Sequence, residues 1–243
     1  MTTIKAITVF KAQFKTTIDP MCGRFALYSD PYALSHRFST EAPLDLPPRF
    51  NIAPTQSILI IREESNKRQF TLARWGLVPH WAKTIEVGYT SYNARAETVA
   101  QKPGYREAFK RRRCLIPADG YYQWQAVAGS KAKQPWFIVL RNQLPMALAG
   151  LWEEWRSPAG ENLESCVIIV TEANALLRSI YNRMPVVLAP AHWNDWLELR
   201  ARDTHRLQNL LKPYPSEEMA AWPVSRKVNN PMYDSEKCIE TVN

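Results

Sequence analysis

The chain has 243 residues, 46% hydrophobic and 22% charged, an ordinary globular composition with length enough for one sizeable core. Its longest apolar run falls well short of the ~20 residues that a membrane span needs, and its first twenty residues lack the apolar block and small-residue cleavage site of a secretory leader, so a cytoplasmic location is expected. Thirty-one Lys and Arg against 23 Asp and Glu leave a net charge of +8, which suits a polyanionic partner such as nucleic acid without requiring one.

Cys22, Cys114, Cys166 and Cys238 lie far apart, form no C-x-x-C pair and have no neighbouring His. That spacing argues against a zinc cluster, and four free thiols are expected in a reducing compartment. Nine Trp and ten Tyr supply flat faces for unpaired bases, although such side chains more often fill cores.

Taken in order, residues 1–20 read as an appendage, and 31–39 (PYALSHRFS) as a short helix with Pro31 in its first turn. The Pro-rich stretch 43–54 reads as extended loop. Strands are expected at 57–63, 69–75, 114–124 (broken at Pro117), 135–141, 145–152 and 166–171, each β-branched or aromatic and bounded by turn formers. Helices are expected at 104–113, 173–181, 190–201 and 203–212, the third carrying Trp193, Trp196 and Leu197 at helical spacing. Strands outnumber helices and do not alternate with them. The expectation is therefore an α+β fold, a single domain with a mainly antiparallel, barrel-like β-sheet core and flanking helices.

Four islands carry candidate chemistry: Met21-Cys22-Gly23-Arg24-Phe25; Arg49 to Pro54 (RFNIAP); Arg74 to Trp81 (RWGLVPHW) leading into Tyr92 to Glu97 (YNARAE); and Ala118 to Trp124 (ADGYYQW) with Asn182-Arg183-Met184-Pro185. Each alone is compatible with turn chemistry or core. In this order they resemble the abasic-site processing family, also called SOS-response-associated peptidases (SRAP), over residues 21–243. Residues 1–20 match nothing in that family and read as an extension or a mis-assigned start.

The resemblance implies that Cys22, once its α-amine is free, captures the aldehyde of an abasic site in single-stranded DNA. An N-terminal cysteine offers an amine of pKa ~8 and a thiol of pKa ~8.5 on one residue, which together close a thiazolidine. Either Met21 is the true start, or the chain cuts itself before Cys22. The resemblance further implies that Asn93 binds the opened sugar, that Arg24, Arg95 and Arg183 grip flanking phosphates, that Thr171 lines the site, and that Trp81 with His80 stacks at the lesion edge. No cofactor or metal is expected, and nothing in the sequence demands more than a monomer.

Two positions depart from the family pattern. Its Glu and His are here Gln123 and Tyr181, and neither replacement is a general base near neutrality. The alternative is a degenerate member that binds single-stranded DNA with slowed or lost cross-linking. A general cysteine peptidase is disfavoured because no Cys–His motif is visible. His36, His192 and His205 read as surface residues, and Lys110 to Arg113 as a solvated charge run that also suits a DNA track.

Overall fold

The computed structural model describes residues 22–41, 46–65, 67–198 and 204–242. The thirteen strands in chain order are β1 (Phe25–Leu27), β2 (Arg49–Ile52), β3 (Ser57–Glu64), β4 (Lys67–Trp75), β5 (Asn93–Arg95), β6 (Arg113–Ala118), β7 (Gly120–Gln125), β8 (Gln134–Leu140), β9 (Met146–Arg156), β10 (Asn162–Glu172), β11 (Arg183–Pro185), β12 (Val187–Leu188) and β13 (Met219–Pro223). Four short helices flank them: α1 (Pro31–Phe38), α2 (Arg106–Arg111), α3 (Trp193–Leu197) and α4 (Thr204–Asn209).

Strand pairing closes on itself. β10 pairs β4, β4 pairs β3, β3 pairs β6, β6 pairs β9, and β9 returns to β10, giving a five-stranded barrel in which only the β10–β4 contact is parallel. Closure removes the exposed strand edges that an open sheet would present. A second antiparallel sheet has the order β13-β8-β7-β1-β2.

The barrel strands are apolar on both faces because both faces are covered. Ile58 and Ile60 of β3, with Ile168 and Val170 of β10, pack into a core shared with Phe25, Tyr121 and Ile138 of the second sheet. Leu59, Ile61, Val167 and Ile169 turn the other way, onto Phe38, Phe109, Trp193 and Trp196 of the helices. Period-two alternation thus divides one run of residues between two cores.

β6 passes directly into β7 through Asp119, so one segment belongs to both sheets. The Asp119 carboxylate accepts hydrogen bonds from Tyr28 N at 2.5 Å, Ser29 N at 2.7 Å and Ser29 Oγ, which fixes the exit of β1. The break expected at Pro117 therefore falls at Asp119 instead. Pro117 pairs with Ala147 of β9, while β6 meets β3 only at Leu115, so the missing proline N–H faces no neighbour there.

Other expectations are corrected. Residues 173–181 form a series of turns, not a helix. Asn174 ends β10: its Oδ1 accepts Leu177 N at 3.1 Å, and its Nδ2 donates to Tyr214 O at 2.8 Å. A side chain that bonds nearby backbone in this way competes with helix formation. The 190–201 pattern splits into a 3₁₀ turn, Pro190–His192, and α3, with 199–201 outside the described residues. The expected 43–54 loop contains β2, which is held by pairing with β1.

The Lys110 to Arg113 run is not one solvated face. Arg113 is fully buried and donates to Trp196 O at 2.6 Å, to Phe109 O and Lys110 O at 2.7 Å each, and to Glu198 O. Burial lowers its pKa to about 10, so it stays charged at neutral pH and ties α2 to α3. Arg113→Met orphans those four carbonyls at roughly 1 kcal/mol each, and should cost about 4 kcal/mol and roughly 8–16 °C of Tm in thermal unfolding. A loss under about 1 kcal/mol would rule out that clasp.

Candidate active site

Cys22 stands just before β1 with φ 44°, in the left-handed region that disfavours a side chain. β1 pairs with β7, setting Phe25 opposite Tyr121. Along β7, Tyr122 and Trp124 enter the core beneath Val224 and Val228, while Tyr121 joins the core that contains Cys22. By alternation Gln123 faces the same way as Tyr121.

That register brings Gln123 to the cysteine. Gln123 Nε2 donates to Cys22 Sγ at 2.7 Å and to Arg183 O at 2.9 Å. A backbone carbonyl only accepts, so the second bond fixes which way round the amide lies. Asn93 Nδ2 lies 3.5 Å from the Cys22 carbonyl oxygen, at the limit of a hydrogen bond. β5 carries Asn93 beside Ile168 and Arg95 beside Val170 through its parallel pairing with β10. Tyr181 is half-buried near Cys22; burial and Cys22 raise its pKa, while Arg183 and Arg95 pull it down. Arg183 also pairs with Glu97 at 2.5 Å.

Cys22 is only 2% exposed. Burial pushes its thiol far above the ordinary range, against the opposing pull of the Gln123 hydrogen bond and the Arg183 charge. The sulfur is therefore a protonated thiol at neutral pH.

The family model for "SOS response associated peptidase (SRAP)" matches residues 21–231, most of the chain. This chain belongs to the SRAP family. It is 40% identical over 224 residues to the Bacillus subtilis abasic site processing protein YoqW, covering 91% of this chain and 100% of that one. It is 28% identical to the mouse abasic site processing protein HMCES over 79% of this chain, and spans 64% of that longer protein. Among solved structures, a Bacteroides thetaiotaomicron protein shares the fold with TM-score 0.82 at 24% identity, over 91% of this chain and all of that one. A Bordetella bronchiseptica protein does so with TM-score 0.73 at 25% identity, over 84% of this chain and all of that one.

Within this SRAP fold the expected site residues divide. Cys22, Asn93, Gln123, Tyr181 and Arg183 converge, with Arg95 exposed beside them. Thr171 is buried at the end of β10, opposite Met184 and next to the Glu172–Arg183 pair. Arg24 follows Cys22 closely in sequence but turns away: its guanidinium donates to Asn51 Oδ1 at 2.9 Å, Val228 O at 2.6 Å and Asn229 O at 3.3 Å, anchoring the C-terminal segment. His80 and Trp81 stand apart. His80 Nδ1 lies 3.3 Å from Glu153, which also receives Arg112 at 2.7 Å, and Val78 N is held by Ser165 Oγ. Ser165 precedes Thr171 by six residues of β10, about 20 Å of strand. Trp81, next to His80, is 57% exposed.

Two residues near the thiol, Tyr92 and Tyr121, lie inside the sequence islands but were given no role there; each has its pKa raised by burial and then by Cys22. Tyr92 opens the island that carries Asn93, and Tyr121 sits two residues before Gln123, where strand alternation alone would have put it on the same face. No group of three or more His, Cys, Asp or Glu among the described residues is placed to hold a metal ion. Nor is any described helix long and apolar enough to cross a membrane.

Because the thiolate is the reactive form and this thiol deprotonates only well above the ordinary range, alkylation of Cys22 by iodoacetamide should be slow at pH 7. Followed by mass spectrometry of the Cys22 peptide, the rate should keep climbing past pH 9. Levelling near pH 8.5 would mean that the thiol is not held as described.

Proposed function

We propose that this SRAP protein binds single-stranded DNA carrying an abasic site and captures the aldehyde covalently through Cys22. The observation that carries the reading is the fixed Cys22 sulfur, held by Gln123 with Asn93, Tyr181 and Arg183 gathered round it. The shared family with proteins named for abasic site processing supports the same substrate.

The chemistry needs no cofactor. Opening of the abasic deoxyribose gives a C1′ aldehyde and a free C4′ hydroxyl. The Cys22 α-amine adds to the aldehyde, and loss of one water leaves a C1′=N imine. The Cys22 S–H then adds across that bond: sulfur joins C1′, the proton goes to nitrogen, and a five-membered thiazolidine results. Both nucleophiles belong to one residue, so the second step is intramolecular and gains the advantage of proximity. The amine must be free, so the active form begins at Cys22, either by removal of Met21 from a chain started there or by self-cleavage.

Gln123 hydrogen-bonds but does not exchange a proton, and Tyr181, its pKa raised by burial, acts only as a donor near neutrality. Acid–base assistance is typically worth ~10²–10⁴-fold, so capture here runs slowly on the groups of Cys22 itself. This favours, as a second reading, a protein that recognises lesions and scarcely reacts with them. Arg95 and Arg183 offer guanidinium forks for the flanking phosphates, and Trp81 with His80 offers a stacking face further along the strand. A sugar reaching a thiol this enclosed must leave the base stack, which suits single-stranded substrate. Four free cysteines fit work in the reducing cytoplasm.

The test is a denaturing gel after incubation with an abasic single-stranded oligonucleotide. Protein started at Met21 should give a heat-stable shifted band; protein with residues 1–21 retained, and Cys22→Ala, should not. Binding without a shifted band would establish the second reading in its place. Affinity should also fall with salt at a slope of about −0.7 per phosphate neutralised, and a flat response would remove the arginines from the contact.

A further inference from the structure

Two buried polar atoms on β7 have no hydrogen-bond partner: the hydroxyl Oη of Tyr121 and the amide Oε1 of Gln123. Both residues lie on β7, two apart, so their side chains leave the same face roughly 7 Å from one another at the backbone. That face is the one on which Gln123 Nε2 reaches Cys22 Sγ, and Tyr121 packs into the same core as Cys22. Arg183 O pins the Gln123 amide, so Oε1 cannot exchange places with the nitrogen to find a donor. The opposite face of β7 shows the contrast: Tyr122 Oη donates to Phe50 O at 2.6 Å, and Trp124 Nε1 to Asn229 Oδ1 at 2.7 Å. The side-chain polar groups of that opposite face are satisfied, whereas Tyr121 Oη and Gln123 Oε1 on the thiol's face are not.

An orphaned phenol needs an acceptor and an orphaned amide oxygen needs a donor. A single alcohol supplies both, accepting from Tyr121 and donating to Gln123. Resting on the capture reading above, we propose that Tyr121 and Gln123 form a slot for the C4′ hydroxyl that appears when the abasic sugar opens, with Tyr121 a specificity residue for the open form. The closed sugar has an ether oxygen at that place and lacks the donor that Gln123 requires. Once C1′ is bonded to Cys22, C4′ follows three carbon–carbon bonds later, so the adduct itself delivers the hydroxyl to these atoms. A neutral slot is also what the Glu-to-Gln departure leaves: a carboxylate there would bind the hydroxyl without needing Tyr121.

The test uses protein started at Met21 and two non-reactive single strands. One carries a borohydride-reduced abasic residue, permanently open with free hydroxyls and no aldehyde; the other carries the closed tetrahydrofuran analogue. The wild type should prefer the open strand by about tenfold, the worth of one well-made hydrogen bond. Tyr121→Phe should abolish most of that preference while closed-strand affinity holds and Tm is unchanged or higher, since an orphaned hydroxyl has been removed. A preference that survives Tyr121→Phe overturns the slot. So does equal binding of both strands by the wild type, or a lost preference accompanied by lower Tm and weaker closed-strand binding, which is the signature of a packing role. A Tyr121-dependent preference without any band on the aldehyde strand would sink covalent capture and leave the slot standing. A band on that strand with no open-form preference would do the reverse.

Discussion

The Gln123 side chain is the point on which the site depends. Its nitrogen bridges a sulfur ahead of β1 and a carbonyl on β11, segments 161 residues apart in sequence that share no backbone pairing. Without it, Cys22 would be a small buried hydrophobe like Cys114 and Cys166, both of whose thiols are likewise held up by burial. With it, the sulfur has a fixed direction. Burial wins over the hydrogen bond in setting protonation, and the hydrogen bond wins in setting position.

Barrel closure makes that bridge dependable. β10 contacts β4, β5, β9 and β11, and its C-terminal half sets both Asn93, through β5, and Arg183, through β11. Gln123 comes from the second sheet, which reaches the barrel through the continuous passage from β6 to β7 at Asp119. The site therefore sits where two sheets are stitched by one strand, and its members are fixed by register more than by loop conformation.

Legibility in the sequence followed local physics. The long apolar runs of β3, β9 and β10 announced themselves because burial on both faces demands continuous apolar residues. Strands such as β5, β11 and β12, of two or three residues, left no periodicity to read and exist only through pairing. The 173–181 segment looked helical because Ala173, Leu176, Leu177 and Ile180 are spaced for it, but Asn174 spends its side chain on the backbone. At the site, Cys22, Asn93 and Gln123 were legible through motif order. Arg24 carried no sign that its fork would be consumed by Asn51 and the carbonyls near Val228, contacts spanning 27 to 205 residues. Tyr121 was hidden inside a motif whose other members drew the eye.

The left-handed turn at Cys22 has a bearing on which form of the chain is at ease. A torsion of 44° places the side chain against neighbouring backbone at a cost of roughly 1–2 kcal/mol. That torsion is defined by the carbonyl carbon of the residue before it. In a polypeptide whose first atom is the Cys22 nitrogen the angle has no meaning, and an ammonium group rotates there without penalty. Trimming the chain to this residue thus relaxes a local tension at the same stroke that it uncovers the amine.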